Sequence, residues 1–198
     1  MGVTFWIVPS EQDRHKLRRI MDLRPSDSQK QSDNSYPRFN PHITLASLPS
    51  SSDISLEKLR NAVPQSQPAL NITFQSVDVG EHFFRSVYIA ILPSPELAAL
   101  HKKVHEALDI EPRTPSFPHI SLCYISDEDA ANGERLRYKQ MLIDSGRLRA
   151  NPDGTVSLNC GNDEREDWLS GFVAPEIWIT TCDGPVEGWT VDDIIVLS

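Results

Sequence analysis

Hydrophobic and polar positions alternate with a period of two in several short runs, and that period predicts strands. From Val3 to Val8, Thr4 and Trp6 fall on one face and Phe5 and Ile7 on the other. Ala69–Val79 and Ser86–Leu92 repeat the pattern around a turn at Gly80–Arg85, which reads as an antiparallel hairpin. Thr155–Asn159, Glu176–Cys182 and Trp189–Leu197 complete the strand-like runs. A helical period appears elsewhere. Ser10 with Asp13 resembles a capping box opening a helix to about Met21, and Ser55 caps a short helix to Val63. Pro95 opens a helix to about Leu108, with Leu97, Leu100, Val104 and Leu108 on one stripe. Glu128–Asp144 is helical in composition and is stopped by Gly146. Residues 164–172 show no decisive period. The polar stretch 26–35 reads as a mobile loop. With hairpins and helices mixed, the chain reads as α+β, with seven or eight strands and four helices.

Two further strands carry the chemistry. Pro41-His42-Ile43-Thr44-Leu45 recurs as Pro118-His119-Ile120-Ser121-Leu122. Strand alternation puts His42 and Thr44 on one face and Ile43 and Leu45 on the other, and likewise sets His119 and Ser121 against Ile120 and Leu122. Each copy buries an apolar face and presents an imidazole plus a hydroxyl. Two such strands facing each other place two histidines and two hydroxyls in one cleft, which suits a phosphate, an acid and a base. Continued alternation puts Ala46 and Cys123 on the same faces, where their small size leaves room for substrate.

Composition narrows the partners. At 198 residues with 39% hydrophobic content, the chain suits one sizeable domain or two intimately packed lobes over residues 1–198. No apolar run approaches the roughly 20 residues of a membrane helix. Cys123, Cys160 and Cys182 form an odd, sparse set, which points to a reducing compartment and a cytoplasmic location. A net charge of −9 disfavours stable binding of long nucleic acid but leaves room for a small phosphorylated substrate in a locally positive cleft.

The motif pair, with Phe5-Trp6-Ile7-Val8-Pro9 near the start, Pro37-Arg38-Phe39 before the first copy and Tyr124 after the second, resembles the two-histidine phosphoesterases. Within them it is similar to the plant and fungal cyclic phosphodiesterases. The resemblance implies a bilobal fold of two pseudo-symmetric antiparallel sheets with outer helices and a central cleft. It implies hydrolysis of 2′,3′-cyclic nucleotides to 2′-phosphates, and of ADP-ribose 1″,2″-cyclic phosphate, a by-product of tRNA splicing. The expected catalytic residues are His42 and His119, with Thr44 and Ser121 on the phosphate. No cofactor or metal is expected, because two imidazoles supply both proton carriers and His42, His119 and Cys123 lack zinc-ligand spacing. The partner is a small cyclic-phosphate nucleotide, and the chain reads as a monomer.

Other residues divide between core and cleft. Trp6 shares a face with Thr4, which leaves base stacking and core packing both open. Tyr124 falls on the core side by parity, whereas the resemblance places it in the substrate cleft. Arg38 and Arg85 are anion-contact candidates near strand ends. His15, His82, His101 and His105 read as exposed.

Overall fold

The structure is a computed structural model that describes residues 2–50, 52–112, 117–162 and 165–198. Its first half begins with β1 (Gly2–Val8), α1 (Glu11–Met21), β2 (Ile43–Pro49) and α2 (Leu56–Asn61). The hairpin β3 (Leu70–His82) and β4 (Arg85–Ile91) follows, then α3 (Pro95–Leu108) and β5 (His119–Cys123). Next come α4 (Asp127–Ala131), α5 (Glu134–Asp144), β6 (Leu148–Ala150) and β7 (Val156–Asn159). The chain closes with β8 (Trp168–Leu169), β9 (Gly171–Ala174), β10 (Glu176–Thr181) and β11 (Thr190–Val196).

The helices start where their caps dictate. Ser10 Oγ accepts the Asp13 N–H at 3.2 Å, and Ser55 and Ser94 do the same for α2 and α3, with Pro95 in the first turn of α3. The expected helix over 128–144 is two helices. Gly133 takes a left-handed φ of 85° between α4 and α5, a conformation that glycine adopts without a side-chain clash.

Eight strands form one antiparallel sheet in the order β11-β10-β1-β2-β5-β4-β3-β9, and β6-β7-β8 form a smaller sheet. The α+β class holds, with helices packed outside the sheet. The two motif strands do not face each other from separate sheets, however. β2 and β5 are neighbours, paired only at Ile43 and Ile120, with four strands on either side of that seam. The lobes are therefore two half-sheets, each ending on a histidine strand. The segment without a clear period supplies β8 and β9, and β9 pairs along β3 from Leu70 to Thr73. A strand of two residues is too short to print an alternation. Residues 163 and 164 of that segment lie outside those described.

The sheet face carrying Phe5, Ile7, Ile43, Leu45, Ile120 and Leu122 packs against α1, α3 and α5 in one continuous apolar cluster. Ile43 and Ile120 are fully buried, and burial of each side chain contributes about 1.5–3 kcal/mol. The helices thus hold the motif strands from behind and leave their other face to the cleft.

The stretch 26–35, expected to be mobile, is tied down by two buried carboxylates. Asp129 accepts from the Gln31 N–H at 2.7 Å and the Ser35 hydroxyl at 2.5 Å. Glu134 accepts from the Gln29 N–H, the Ser28 hydroxyl and, at 2.8 Å, the Tyr36 hydroxyl. Burial alone would raise the Asp129 carboxyl, but the bonds from Ser35, Gln31, Ser32 and Ser126 outweigh it and hold the group below its ordinary range. A polar sequence can be ordered when its partners are buried acids nearly a hundred residues away.

Candidate active site

The register at the seam builds the site. In an antiparallel pair, Ile43 opposite Ile120 sets His42 beside Ser121 and Thr44 beside His119, all on the face away from the core. All four line one cleft of about 480 Å³. Each histidine sits where its strand begins: His119 is the first residue of β5, and His42 immediately precedes β2.

Both motif strands then break their alternation at the same place. On β2, Phe5 pairs with Ala46 but Trp6 pairs with Thr44, so Leu45 is an extra residue. On β5, Val87 pairs with Cys123 but Tyr88 pairs with Ser121, so Leu122 is extra. A bulge inverts the parity of everything beyond it. Ala46 and Cys123 therefore turn into the core, correcting the expectation that they face the cleft. Ser47 and Tyr124, each five positions after its histidine, turn into the cleft instead. Simple parity puts Tyr124 in the core; the bulge turns it to the cleft lining.

The two histidines have unlike surroundings. His42 is buried, its ring stacked on Trp6 at 3.8 Å with 10° between planes, and Phe39 meets it edge-on at 6.2 Å. Its Nδ1–H donates to the Asn40 carbonyl at 2.6 Å, which directs Nε2 away from that contact. Burial pushes the His42 pKa down to about 4; the Asn40 bond opposes this and the nearby His119 adds to it. His119 is half-buried, with Tyr88 edge-on at 5.3 Å. Trp6 lines the cleft, but its ring serves His42, so neither open reading describes it fully.

The Ser121 hydroxyl donates to the Phe84 carbonyl at 2.7 Å and so ties the β3–β4 turn to the motif. That turn spans only Phe83–Phe84, because β3 extends to His82, beyond the expected end at Val79. Phe84, His82 and Arg85 line the cleft from it. His82 is exposed as expected, at the cleft rim, whereas His105 is buried and His101 half-buried beside Phe117. Trp189, before β11, closes the aromatic wall at 5.9 Å from both Trp6 and Phe84 and 6.3 Å from Tyr124. Its indole N–H is buried and has no hydrogen-bond partner among the described residues.

The paired histidine–hydroxyl strands place the chain in the class of two-histidine phosphoesterases. Solved structures share the fold at low identity. The protein TT0787 of Thermus thermophilus matches with a TM-score of 0.56 at 13% identity, covering 100% of this chain and 98% of that one. The E. coli protein LigT, solved with phosphate and with 3′-AMP, matches with a TM-score of 0.53 at 16% and 14% identity, covering the whole chain in both cases and 97% and 98% of the respective LigT chains.

The chain belongs to the 2′-5′ RNA ligase superfamily, whose family model matches residues 8–155. By that membership it is an enzyme of phosphoester chemistry. Among characterised relatives, the cyclic phosphodiesterase of Arabidopsis thaliana is 24% identical over 135 residues, 67% of this chain and 71% of its own. The 2′,3′-cyclic-nucleotide 3′-phosphodiesterase of Yarrowia lipolytica is 24% identical over 234 aligned positions, covering 96% of this chain and 97% of its own.

Proposed function

We propose that the chain hydrolyses small cyclic phosphodiesters, opening 2′,3′-cyclic nucleotides to 2′-phosphates and ADP-ribose 1″,2″-cyclic phosphate to ADP-ribose 1″-phosphate. The convergence of His42, Thr44, His119 and Ser121 on one cleft carries this reading. The names of the Arabidopsis and Yarrowia relatives support the substrate class. A cleft of about 480 Å³ walled by Trp6, Phe84, Tyr124 and Trp189 has the size and apolar lining of a nucleotide pocket. A net charge of −9 argues against a long polyanion. The proposed setting is a cytoplasmic monomer acting on by-products of tRNA splicing.

The chemistry follows from the groups. A neutral imidazole takes a proton from water as the water oxygen attacks phosphorus. A protonated imidazole gives its proton to the departing ribose oxygen, so two histidines complete the exchange without a metal. In the free protein His42 is neutral at pH 7; an anionic diester beside it favours its protonated form. Thr44 and Ser121 donate to the non-bridging oxygens, where charge grows in the transition state. For Ser121 this redirects the hydroxyl from the Phe84 carbonyl to the phosphate.

The test is turnover of a 2′,3′-cyclic mononucleotide in excess EDTA, with the product read by phosphorus NMR. A 2′-phosphate is expected. A 3′-phosphate, or loss of turnover in EDTA, overturns the reading. Preference for an oligonucleotide with a cyclic-phosphate end would instead assign the chain to RNA-end processing.

A further inference from the structure

A second hollow, of about 370 Å³, lies between the C-terminal end of α1 and the segment 36–40 that leads into the first motif, and it reaches Leu122 and Cys123 of β5. Three guanidiniums line it: Arg18, Arg24 and Arg38. Some cations elsewhere in this acidic chain pair with carboxylates. Lys16 and Arg19 pair with Asp167, Arg14 with Glu176, Arg60 with Asp193 and Arg135 with Asp127. Among the described residues, none of the three arginines of the hollow lies within ion-pair distance of a carboxylate, although Asp22 also lines it. Two of them are nevertheless fixed. Arg24 donates through Nη1 to the carbonyls of Met21 at 2.7 Å and Leu23 at 2.6 Å, and lies over the Tyr36 ring at 4.2 Å. Arg18 donates to the Asn40 side-chain carbonyl. Three guanidiniums on exposed residues against the single carboxylate of Asp22 leave the hollow locally positive, and a guanidinium fork suits phosphate oxygens.

We propose that this hollow is a second anion site, distinct from the catalytic cleft, that takes the phosphate group of a small molecule. Its volume suits a phosphate or phosphomonoester. The site touches the catalytic machinery through one residue. Asn40 is held by Arg18 through its side chain and accepts the His42 Nδ1–H through its backbone carbonyl, so an anion that draws Arg18 away alters the partner of His42. Phe39, from the same wall, stacks on Tyr124 of the cleft at 3.9 Å.

Calorimetric titration of the full chain with inorganic phosphate tests this. The wild type should bind two phosphates per chain, one in each site. The Arg24→Ala/Arg38→Ala variant should lose affinity at one of them by about 10-fold or more, since a hydrogen bond to a charged group is being removed. Asp22→Asn should tighten the same site by removing a like charge. In nitrogen-15 spectra the His42 Nδ1 signal should move once as the catalytic cleft fills and again as the second site fills in the wild type, and only the first of these shifts should remain in the double variant. Repeating the titration with a nucleoside 5′-monophosphate identifies the source: tighter binding than inorganic phosphate assigns a nucleotide, weaker binding free phosphate. A single site in the wild type, or two sites whose affinities neither variant changes, overturns the proposal. Because the readout is binding, it stands or falls separately from turnover of any cyclic nucleotide.

Discussion

The two motif copies differ at one residue, Thr44 against Ser121, yet their histidines sit in unlike places. His42 is 7% exposed, stacked on Trp6 from β1 and bonded to the chain just before it. His119 is half-buried, with Tyr88 of β4 at its edge. The pentapeptide fixes where each imidazole stands; the surroundings differ, and for His42 burial lowers its readiness to take a proton. A symmetric motif thus presents two imidazoles that differ in environment more than in sequence.

The largest break comes from removing either imidazole. His42→Ala and His119→Ala should each lower kcat by about 10² to 10⁴, the range for one proton carrier, as measured on a cyclic mononucleotide. Full activity in either variant would remove that histidine from the mechanism. Next come the hydroxyls. Thr44→Ala and Ser121→Ala should each cost roughly 10- to 1,000-fold without changing the product, read by phosphorus NMR. Ser121→Ala should also loosen the Phe83–Phe84 turn, visible as faster amide exchange there, whereas Thr44→Ala should not.

The polar loop ahead of His42 hangs on a carboxylate from the other half. Asp129→Asn should destabilise the fold by about 1–3 kcal/mol in urea unfolding, since the Gln31 N–H and the buried Ser35 hydroxyl lose a charged acceptor. Because the Asp129 carboxyl is held below its ordinary range, its contribution is present at neutral pH and disappears as pH falls through the depressed folded value; the variant should flatten that loss.

The finest test concerns His42 itself. In the free protein its imidazole should titrate near pH 4 by NMR, and Trp6→Leu should raise that value by admitting water. The unfolded chain takes up this proton near 6.5 and the folded one near 4, so stability should fall as pH drops through that window and stay level across it in His42→Gln. The same value bounds activity: kcat/KM should fall as pH drops through about 4, where His42 of the free protein becomes protonated and the pair loses its neutral imidazole.

Much of this was legible in the chain. Period two located the principal strands, two serine caps and Pro95 located three helices, and the motif frames gave the four residues that meet at the seam. What escaped did so for physical reasons. Alternation is a local rule, and a single extra residue at Leu45 or Leu122 reverses it with no mark in composition. Had the copies been aligned past their fifth residue, Ser47 and Tyr124 would have stood out as equivalent positions. The order of the Ser-rich loop depends on Asp129 and Glu134, far along the chain. Trp189 reaches the cleft from the C-terminal strands, and nothing beside it in the sequence points there. The pairing of β2 with β5 is a matter of topology that no spacing encodes.

That pairing has a bearing on symmetry. Ile43 and Ile120 hold the same position in their respective copies, and they oppose each other across antiparallel strands. In a homodimer, a residue on the two-fold axis meets its own counterpart in this way. The seam thus carries a local two-fold within one chain, each half lending one histidine and one hydroxyl to a shared cleft. Trp6 covers one imidazole while the other is half-buried, a difference that two identical subunits cannot carry.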